Sequence, residues 1–465
     1  MRNLKNVRGA RLGIAALALA LTASACGSSR DDADGGKAAD DTDSSTTSAA
    51  KFGDLESPCG KGDAKGATDQ GVTDTSIAIG YGDDRGFAAL PGLNEEMGDA
   101  VTAMIGWCNE QGGINGRKLE GHQYDAAMTN AASVMQKACK QDFMLVGSGF
   151  AYDEAAEPFR VGCDLPAVAA FTIGSNATMG PNKFEAVPRP LDFYNGALAD
   201  VDMKVRPEAK AGITVLGSTS PPIQTAGQKV MNVFGELGAK VEDCGVTLSQ
   251  DGEANYVPFA EKLKDCAAQA LFISASPGAI SFGLLEAMQR TEADMKYVFE
   301  STWYSDTTSQ WNGKSKAIDG MIASLVFQPI ENADVVPAVN DYVELVEGAG
   351  IKPSLLGMQA VSGFLLWADV AKDCGSDLTR ECMVDGLKKV NEWTGGGLHA
   401  PSDPGGNMPP HCALVVELTG DTYKQVFPEK RGEFDCDESK LVEVDPTKDG
   451  VTLDANRVST KFAKK

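Results

Sequence analysis

The chain has 465 residues, with 65 Asp and Glu against 42 Lys and Arg and a formal net charge of -23. That length allows two domains with their own cores, since a domain usually takes roughly 100 to 200 residues. The acidic balance argues against a nucleic-acid partner, which needs a basic face, and 3 His with neither a His-Glu-x-x-His nor a Cys-x-x-Cys pair give no reason to expect a metal site.

Arg2, Lys5, Arg8 and Arg11 flank a short apolar run, Leu12 to Leu21, too brief for a permanent span, so residues 1–25 read as an export signal. Its end, Leu21-Thr-Ala-Ser-Ala-Cys26-Gly27, resembles a bacterial lipobox, whose cysteine thiol accepts diacylglycerol. Cys26 is the expected lipidation site, against a plain secretory signal with an incidental cysteine. The expected location is extracytoplasmic, with membrane contact through the N-terminal lipid only. Residues 27–57 are Gly, Ser, Thr, Asp and Ala with almost no large apolar side chain, and 26–70 is set as lipid anchor and flexible acidic tether.

From residue 76 the pattern is strand then helix, repeated. Ser76 to Gly80 is a short apolar strand, and Leu93, Met97, Val101, Met104, Ile105 and Cys108 draw one stripe on a helix that Gly112-Gly113 stops. Asn115-Gly116 turns into a strand starting near Arg117, and Ala131, Val134, Met135 and Ala138 mark a second helix. Phe143 to Gly147 and Pro166 to Phe171 lack polar alternation, as expected for strands covered on both faces. The rhythm restarts with strand 211–217, helix 224–237, strand 241–246, helix 257–266, strand 270–274, helix 280–290 and strands 296–300 and 321–327. Helices 355–371 and 381–390 follow, then a hairpin of 413–418 with 423–427 around Thr419-Gly420-Asp421. The fold class is α/β, with two units that are each a mostly parallel sheet flanked by helices. Neither tail element makes a domain alone, so the chain is expected to cross back to the first unit and again to the second.

Ten cysteines follow Cys26, an even number that in an exported chain favours disulfides over buried free thiols. Local pairing suggests Cys374 with Cys382, Cys412 with Cys436, Cys244 with Cys266, Cys108 with Cys139 and, by remainder, Cys59 with Cys163.

No motif carries catalysis, so neither enzyme activity nor a cofactor is expected. Gly80-Tyr-Gly82-Asp-Asp-Arg85-Gly86 looks like a dinucleotide fingerprint with its third glycine one place late. Gly313-Lys314-Ser315 resembles the end of a phosphate loop, but Thr308 stands where the leading glycine belongs, so it reads as a surface turn. What remains is a set of polar loops at the C-terminal ends of expected strands, where open α/β sheets bind ligands. They are Asp83 to Gly86, Ser148-Gly149, Phe171-Thr172, Ser218 to Ser220, Ser276 and Glu300 to Tyr304.

The stretch Trp107-Cys-Asn-Glu-Gln-Gly-Gly-Ile-Asn-Gly-Arg-Lys-Leu119 resembles the N-x-x-GGINGR segment of type 1 periplasmic binding proteins, specifically the branched-chain amino-acid (leucine/isoleucine/valine) family of ABC-transporter substrate-binding proteins. Glu253 to Leu263 is similar to another segment of that family, and Cys412 to Phe427 to its closing hairpin. The resemblance implies two lobes, 71–195 plus 325–405 and 196–324 plus 406–445, joined by three crossover segments and closing on a solute by a hinge motion, with 446–465 as a tail. It implies that Ser148, Gly149 and Thr172 hold a solute carboxylate and that Glu300 meets its ammonium. Asp83, Phe171, Ser218, Thr219 and Ser276 complete the candidate site, with Trp303 and Tyr304 read either as an aromatic wall or as lobe packing. The family often places tyrosine where this chain has Ser218 to Gln224, and another near Ser276, so a roomier and more acidic pocket is expected. The implied activity is capture of a small polar solute, an amino acid or related amide or amine, by a monomer that delivers it to an ABC permease. The alternative is a ligand-sensing lipoprotein that signals to a membrane receptor.

Overall fold

The protein is represented by a computed structural model that describes residues 50–88 and 90–445. The leader, Cys26 and the tail 446–465 lie outside the described residues. Among the described residues no helix is long and apolar enough to cross a membrane.

The first sheet holds β1 (Ser76–Asp83), β2 (Lys118–Asp125), β3 (Met144–Val146), β4 (Ala167–Ala169) and β5 (Lys183–Glu185), all parallel, in the order β2-β1-β3-β4-β5. Interior β1 is buried at every position, whereas edge strand β2 buries only Leu119 and Tyr124. The two-residue period sorts the side chains between faces. Met144 and Val146 join Ile77 and Ile79 against helix α1 (Glu95–Gln111) and helix Leu355–Cys374, while Leu145 and Ala167 join Val134 and Met135 of α2 (Ala131–Gln141).

The second sheet holds β6 (Ile213–Val215), β7 (Ala270–Ile273), β8 (Lys296–Phe299), β9 (Met321–Leu325), β10 (Cys412–Thr419) and β11 (Thr422–Phe427) in spatial sequence. β6 to β9 are parallel, and the hairpin β10–β11 adds antiparallel to β9. Leu271, Ile273 and Phe299 pack with Leu284 and Leu285, while Phe272 and Val298 face Val201 and Phe234. The expected strand 241–246 forms only a bridge from Val241 to Ile213, because Gly245 at φ +60° and the Cys244–Cys266 disulfide turn the run; Thr247–Leu248 pairs with Gly217–Ser218 instead.

Three further readings are corrected. Gly313-Lys314-Ser315 is no surface turn but the last turn of helix Asp306–Ser315, which Ser305 caps through the Thr308 N–H. The packed chain begins by Lys51 rather than at 71: Phe52 is 1% exposed in the core beside Trp107, and Gly53 N–H donates to Asp341 Oδ2 at 2.7 Å. Three disulfides form as read, Cys244–Cys266, Cys374–Cys382 and Cys412–Cys436, but the other two exchange partners. Cys59 joins Cys108 and Cys139 joins Cys163, not Cys108 with Cys139 and Cys59 with Cys163. The N-terminal strap passes the C-terminal end of α1, which carries Cys108, and α2 lies against the helix Glu157–Gly162, whose C-cap is Cys163.

The GGINGR segment locks that strap. Gly113 and Gly116 adopt φ +83° and +89°, and a Cβ on them would lie 1.9 Å from the Arg117 carbonyl and 2.4 Å from that of Gly62. Arg117, 1% exposed, donates to the carbonyls of Thr73 (3.0 Å), Gly375 (2.9 Å) and Gly66 (3.1 Å). Peptide mapping without reduction is expected to recover Cys59–Cys108 and Cys139–Cys163 as linked pairs. The double change Cys59→Ser, Cys108→Ser is expected to cost about 2 to 4 kcal/mol in denaturant unfolding and to open 51–70 to proteolysis.

Candidate functional site

Parallel strands release all their loops at one edge, so each sheet presents a single rim. On the first rim, Asp83 is fully buried and bound by Arg85 (Nη2–Oδ2 2.7 Å), which also reaches Asp99 at 2.8 Å. Asp83 therefore holds its loop together. Asp84 accepts the N–H groups of Met128 and Ala151, both at 2.7 Å; burial pushes its carboxyl upward and these two donors pull it back. Ser148 is buried, and its carbonyl accepts from Ala170 at 2.9 Å. Gly149 packs so tightly that a Cβ would lie 2.7 Å from the Phe171 ring and 2.8 Å from Met97 Sδ. The Thr172 hydroxyl lies 3.0 Å from that of Thr178, and Asp153 fixes the next turn by accepting from Ile173 (2.9 Å) and Gly174 (2.8 Å). Ser148, Gly149, Phe171 and Thr172 thus share one rim. Behind it a cavity of about 20 Å³, room for one water, adjoins the buried Glu157–Arg160 pair and Lys183.

On the second rim, Ser218 Oγ accepts from Ser220 N–H (3.1 Å) and Thr219 Oγ1 from Gln250 N–H (2.9 Å), so both hydroxyls brace their loops. Ser276 is exposed, and Glu300 is half-buried at the end of β8. Of the two readings of Trp303, cleft wall or packing, the second holds: it is 0% exposed, its Nε1 donates to Ala275 O at 2.9 Å and its ring centroid lies 4.4 Å from that of Phe299, so it leaves the candidate site. Tyr304 is buried too, donating to Glu331 Oε2 and accepting from Ile330 N–H, both at 2.6 Å.

Two residues missed in the sequence join these rims. Glu185 ends β5 at 4% exposure, with Oε2 accepting from Arg189 N–H at 3.1 Å and the Thr172 hydroxyl beside its enclosed carboxylate. Ser274, just past β7, encloses an Oγ that has no partner among the described residues. Phe184-Glu185 repeats the strand ending Phe299-Glu300, which is the signal that could have found it. Burial pushes both glutamates above the ordinary carboxylate range, and in each case the Arg189 charge pulls back. Arg189, exposed on the first crossover, therefore lies within electrostatic reach of an acid on each rim. Among the described residues no group of three or more His, Cys, Asp or Glu is arranged to hold a metal.

The crossovers between the sheets are bonded to one another. Ala400 N–H donates to Val326 O and Gln328 N–H to Leu398 O, both at 2.9 Å, and Ser402 Oγ donates to Ala186 O at 2.5 Å. Buried His399 sits at their centre. Trp393 Nε1 donates to Ser362 Oγ (3.0 Å), Ser362 Oγ pairs with His399 Nε2 (2.8 Å), and Nδ1 pairs with Ala400 O (2.8 Å). Only one arrangement satisfies the whole chain: Ser362 donates to a bare Nε2 and the proton sits on Nδ1.

A family model described as periplasmic binding protein matches residues 76–423. No curated protein sequence matches. Among solved structures, a fatty acid ABC transporter substrate-binding protein from Thermomonospora curvata superposes with a TM-score of 0.61 at 15% identity, covering 84% of this chain and 98% of its own. The leucine binding protein LivK from Thermotoga maritima gives 0.60 at 16%, covering 75% and 97%. LivJ from Streptococcus pneumoniae, in complex with isoleucine, gives 0.59 at 15%, covering 76% and 99%.

Burial lowers the His399 pKa from 6.5 to about 4, so the unfolded chain binds this proton first. The contribution to stability is complete above pH 6.5 and is lost as the pH falls from there through about 4, amounting to about 3 kcal/mol. His399→Gln is expected to remove that acid-side slope, read as the pH dependence of the difference in unfolding free energy between variant and parent.

Proposed function

The chain belongs to the periplasmic binding protein family, and we propose that it captures a small polar solute, an amino acid or related amide or amine, outside the cytoplasm and delivers it to an ABC permease. One observation carries this reading: two polar strand-end rims on separate sheets are joined through crossovers bonded to each other. Such a joint lets the rims approach as rigid bodies, and the solute's contacts with both rims stabilise the closed form. Solute capture needs no catalytic residue. The structural relatives named above for leucine, isoleucine and a fatty acid support the same type of work with different cargo.

In this reading Cys26 carries the lipid, the chain works as a monomer, and 51–195 plus 325–405 form the first lobe and 196–324 plus 406–445 the second. Ser148, Gly149 and Thr172 offer hydroxyls and N–H groups to a solute carboxylate, and Glu300 meets an ammonium from the opposite rim. A charged group entering a closing cleft must meet opposite charge or aligned dipoles, and these residues supply both.

Thermal unfolding of the protein, stripped of carried-over solute, tests this against amino acids, amides, polyamines, organic acids and sugars. A true ligand at a hundredfold excess over Kd adds about 2.7 kcal/mol, which raises the midpoint by several degrees. A flat panel from a folded protein removes the reading. Glu300→Gln is expected to weaken an amino-acid ligand by about 2 kcal/mol or more in calorimetry, and unchanged affinity takes Glu300 out of the site.

A further inference from the structure

The third crossover, Leu398 to Ser402, is entered through three consecutive glycines. Gly395, Gly396 and Gly397 take φ +61°, +74° and +106°, a permissive backbone with no side chain to hold it in place. Gly395 and Gly396 are nevertheless buried, and Gly396 lies against the N-terminal hairpin that pairs Lys51–Phe52 with Leu55–Glu56. Asp54 N–H donates to Gly396 O at 2.9 Å. The fit leaves no room for a side chain on either partner: a Cβ on Gly53 would lie 2.2 Å from Gly396 O, and one on Gly396 would lie 2.4 Å from Phe52 O.

The hairpin is tied as well to the helices over the first sheet. Gly53 N–H donates at 2.7 Å to Asp341 Oδ2 on helix Pro337–Gly348, which packs on α1, and the Phe52 ring meets Trp107 of α1 edge to face. At its other end the glycine loop runs straight into the joint between the sheets. His399 N–H donates to Thr394 O at 3.1 Å, and Leu398 O and Ala400 N–H are the groups bonded to Gln328 and Val326. A ribbon with two residues in each strand has no stability of its own, so its order comes from these contacts, which are few enough to be lifted as one unit.

We propose that the hairpin 51–56 is a brace on the joint between the two sheets. Docked, it ties the glycine loop to helix Pro337–Gly348 and confines rotation to the crossover bonds that follow. Lifted, it releases three permissive residues, and the two rims sample a wider range of separations. This rests on the reading of the crossovers as a moving joint and adds the part that sets how far the joint moves.

Hydrogen exchange and a rim-to-rim distance test it on the full chain. Gly53→Ala drives a Cβ into Gly396 O, and Asp341→Ala removes the acceptor of Gly53 N–H without touching the loop. In both variants the amides of Gly397, His399 and Ala400 are expected to exchange about tenfold faster or more, with the strand amides of β1 and β7 unchanged. Nitroxide-bearing unnatural residues in place of Tyr152 and Ser276, which are exposed on the first and second rim, are expected to give a broader distance distribution in both variants than in the parent. Faster exchange confined to 51–57, or a faster loop with an unchanged distance distribution, overturns the brace. Faster exchange spread evenly over both sheets overturns it too, since the hairpin is then a general stabiliser. Neither measurement involves a solute, so a flat thermal panel and a failed brace are separate results.

Discussion

The structure depends on the hydrogen bonds among its crossovers. Parallel strands release their loops at one edge, so two parallel sheets can enclose a solute only if the chain joins them and still lets them move. The bonds from Ala400 to Val326, from Gln328 to Leu398 and from Ser402 to Ala186 answer both demands. They are short-range and backbone-directed, so rotation about them strains few side chains. Burial keeps His399 beneath them neutral, and Ser362 and Ala400 fix which nitrogen carries its proton, with Nε2 bare and Nδ1 protonated. Charging the ring would break that donor chain at the point where the crossovers meet.

Rigidity of the rims matters as much as freedom of the joint. Many acids on the first rim are spent on backbone N–H groups: Asp84 on Met128 and Ala151, Asp153 on Ile173 and Gly174. A buried carboxylate that accepts two N–H bonds fixes a loop more firmly than a hydroxyl can, because charge-assisted bonds are shorter and stronger. The cost is desolvation, which pushes both carboxyls upward. The loops thereby hold their shape before any solute arrives, so binding orders little chain and loses little entropy.

The sequence showed the sheets more clearly than the site. Runs such as Phe143 to Gly147 and Ala270 to Ser274 have no polar face, and a strand covered on both sides leaves them no other reading. GGINGR was legible because Gly113 and Gly116 occupy backbone where a Cβ would strike Arg117 and Gly62, yet the segment secures the N-terminal strap at the end of α1 opposite its rim. The strap itself was hidden: its composition is that of a tether, and it is fastened by one aromatic, Phe52, a cysteine whose partner is 49 residues away, and bonds from its backbone to distant residues such as Asp341. Trp303 was open between cleft wall and packing because it follows a strand end, and a 3-10 turn over Ser301–Trp303 carries its ring back into the core. Glu185 was overlooked because a charged strand end usually faces water, and nothing local tells that the next segment folds over it.

This distinction, between acids used to build the rims and acids left over, is what gives the cleft its character. Asp83 has Arg85, Glu157 has Arg160 and Lys183, and Asp84 and Asp153 have backbone donors, so none of these is available to a solute. Glu185 and Glu300 differ in kind: each stands at the end of a strand, and the strongest opposing charge each feels is the same Arg189. Glu185 also accepts the Arg189 N–H at 3.1 Å, so the end of the last strand of the first sheet is tied to the crossover that leaves it.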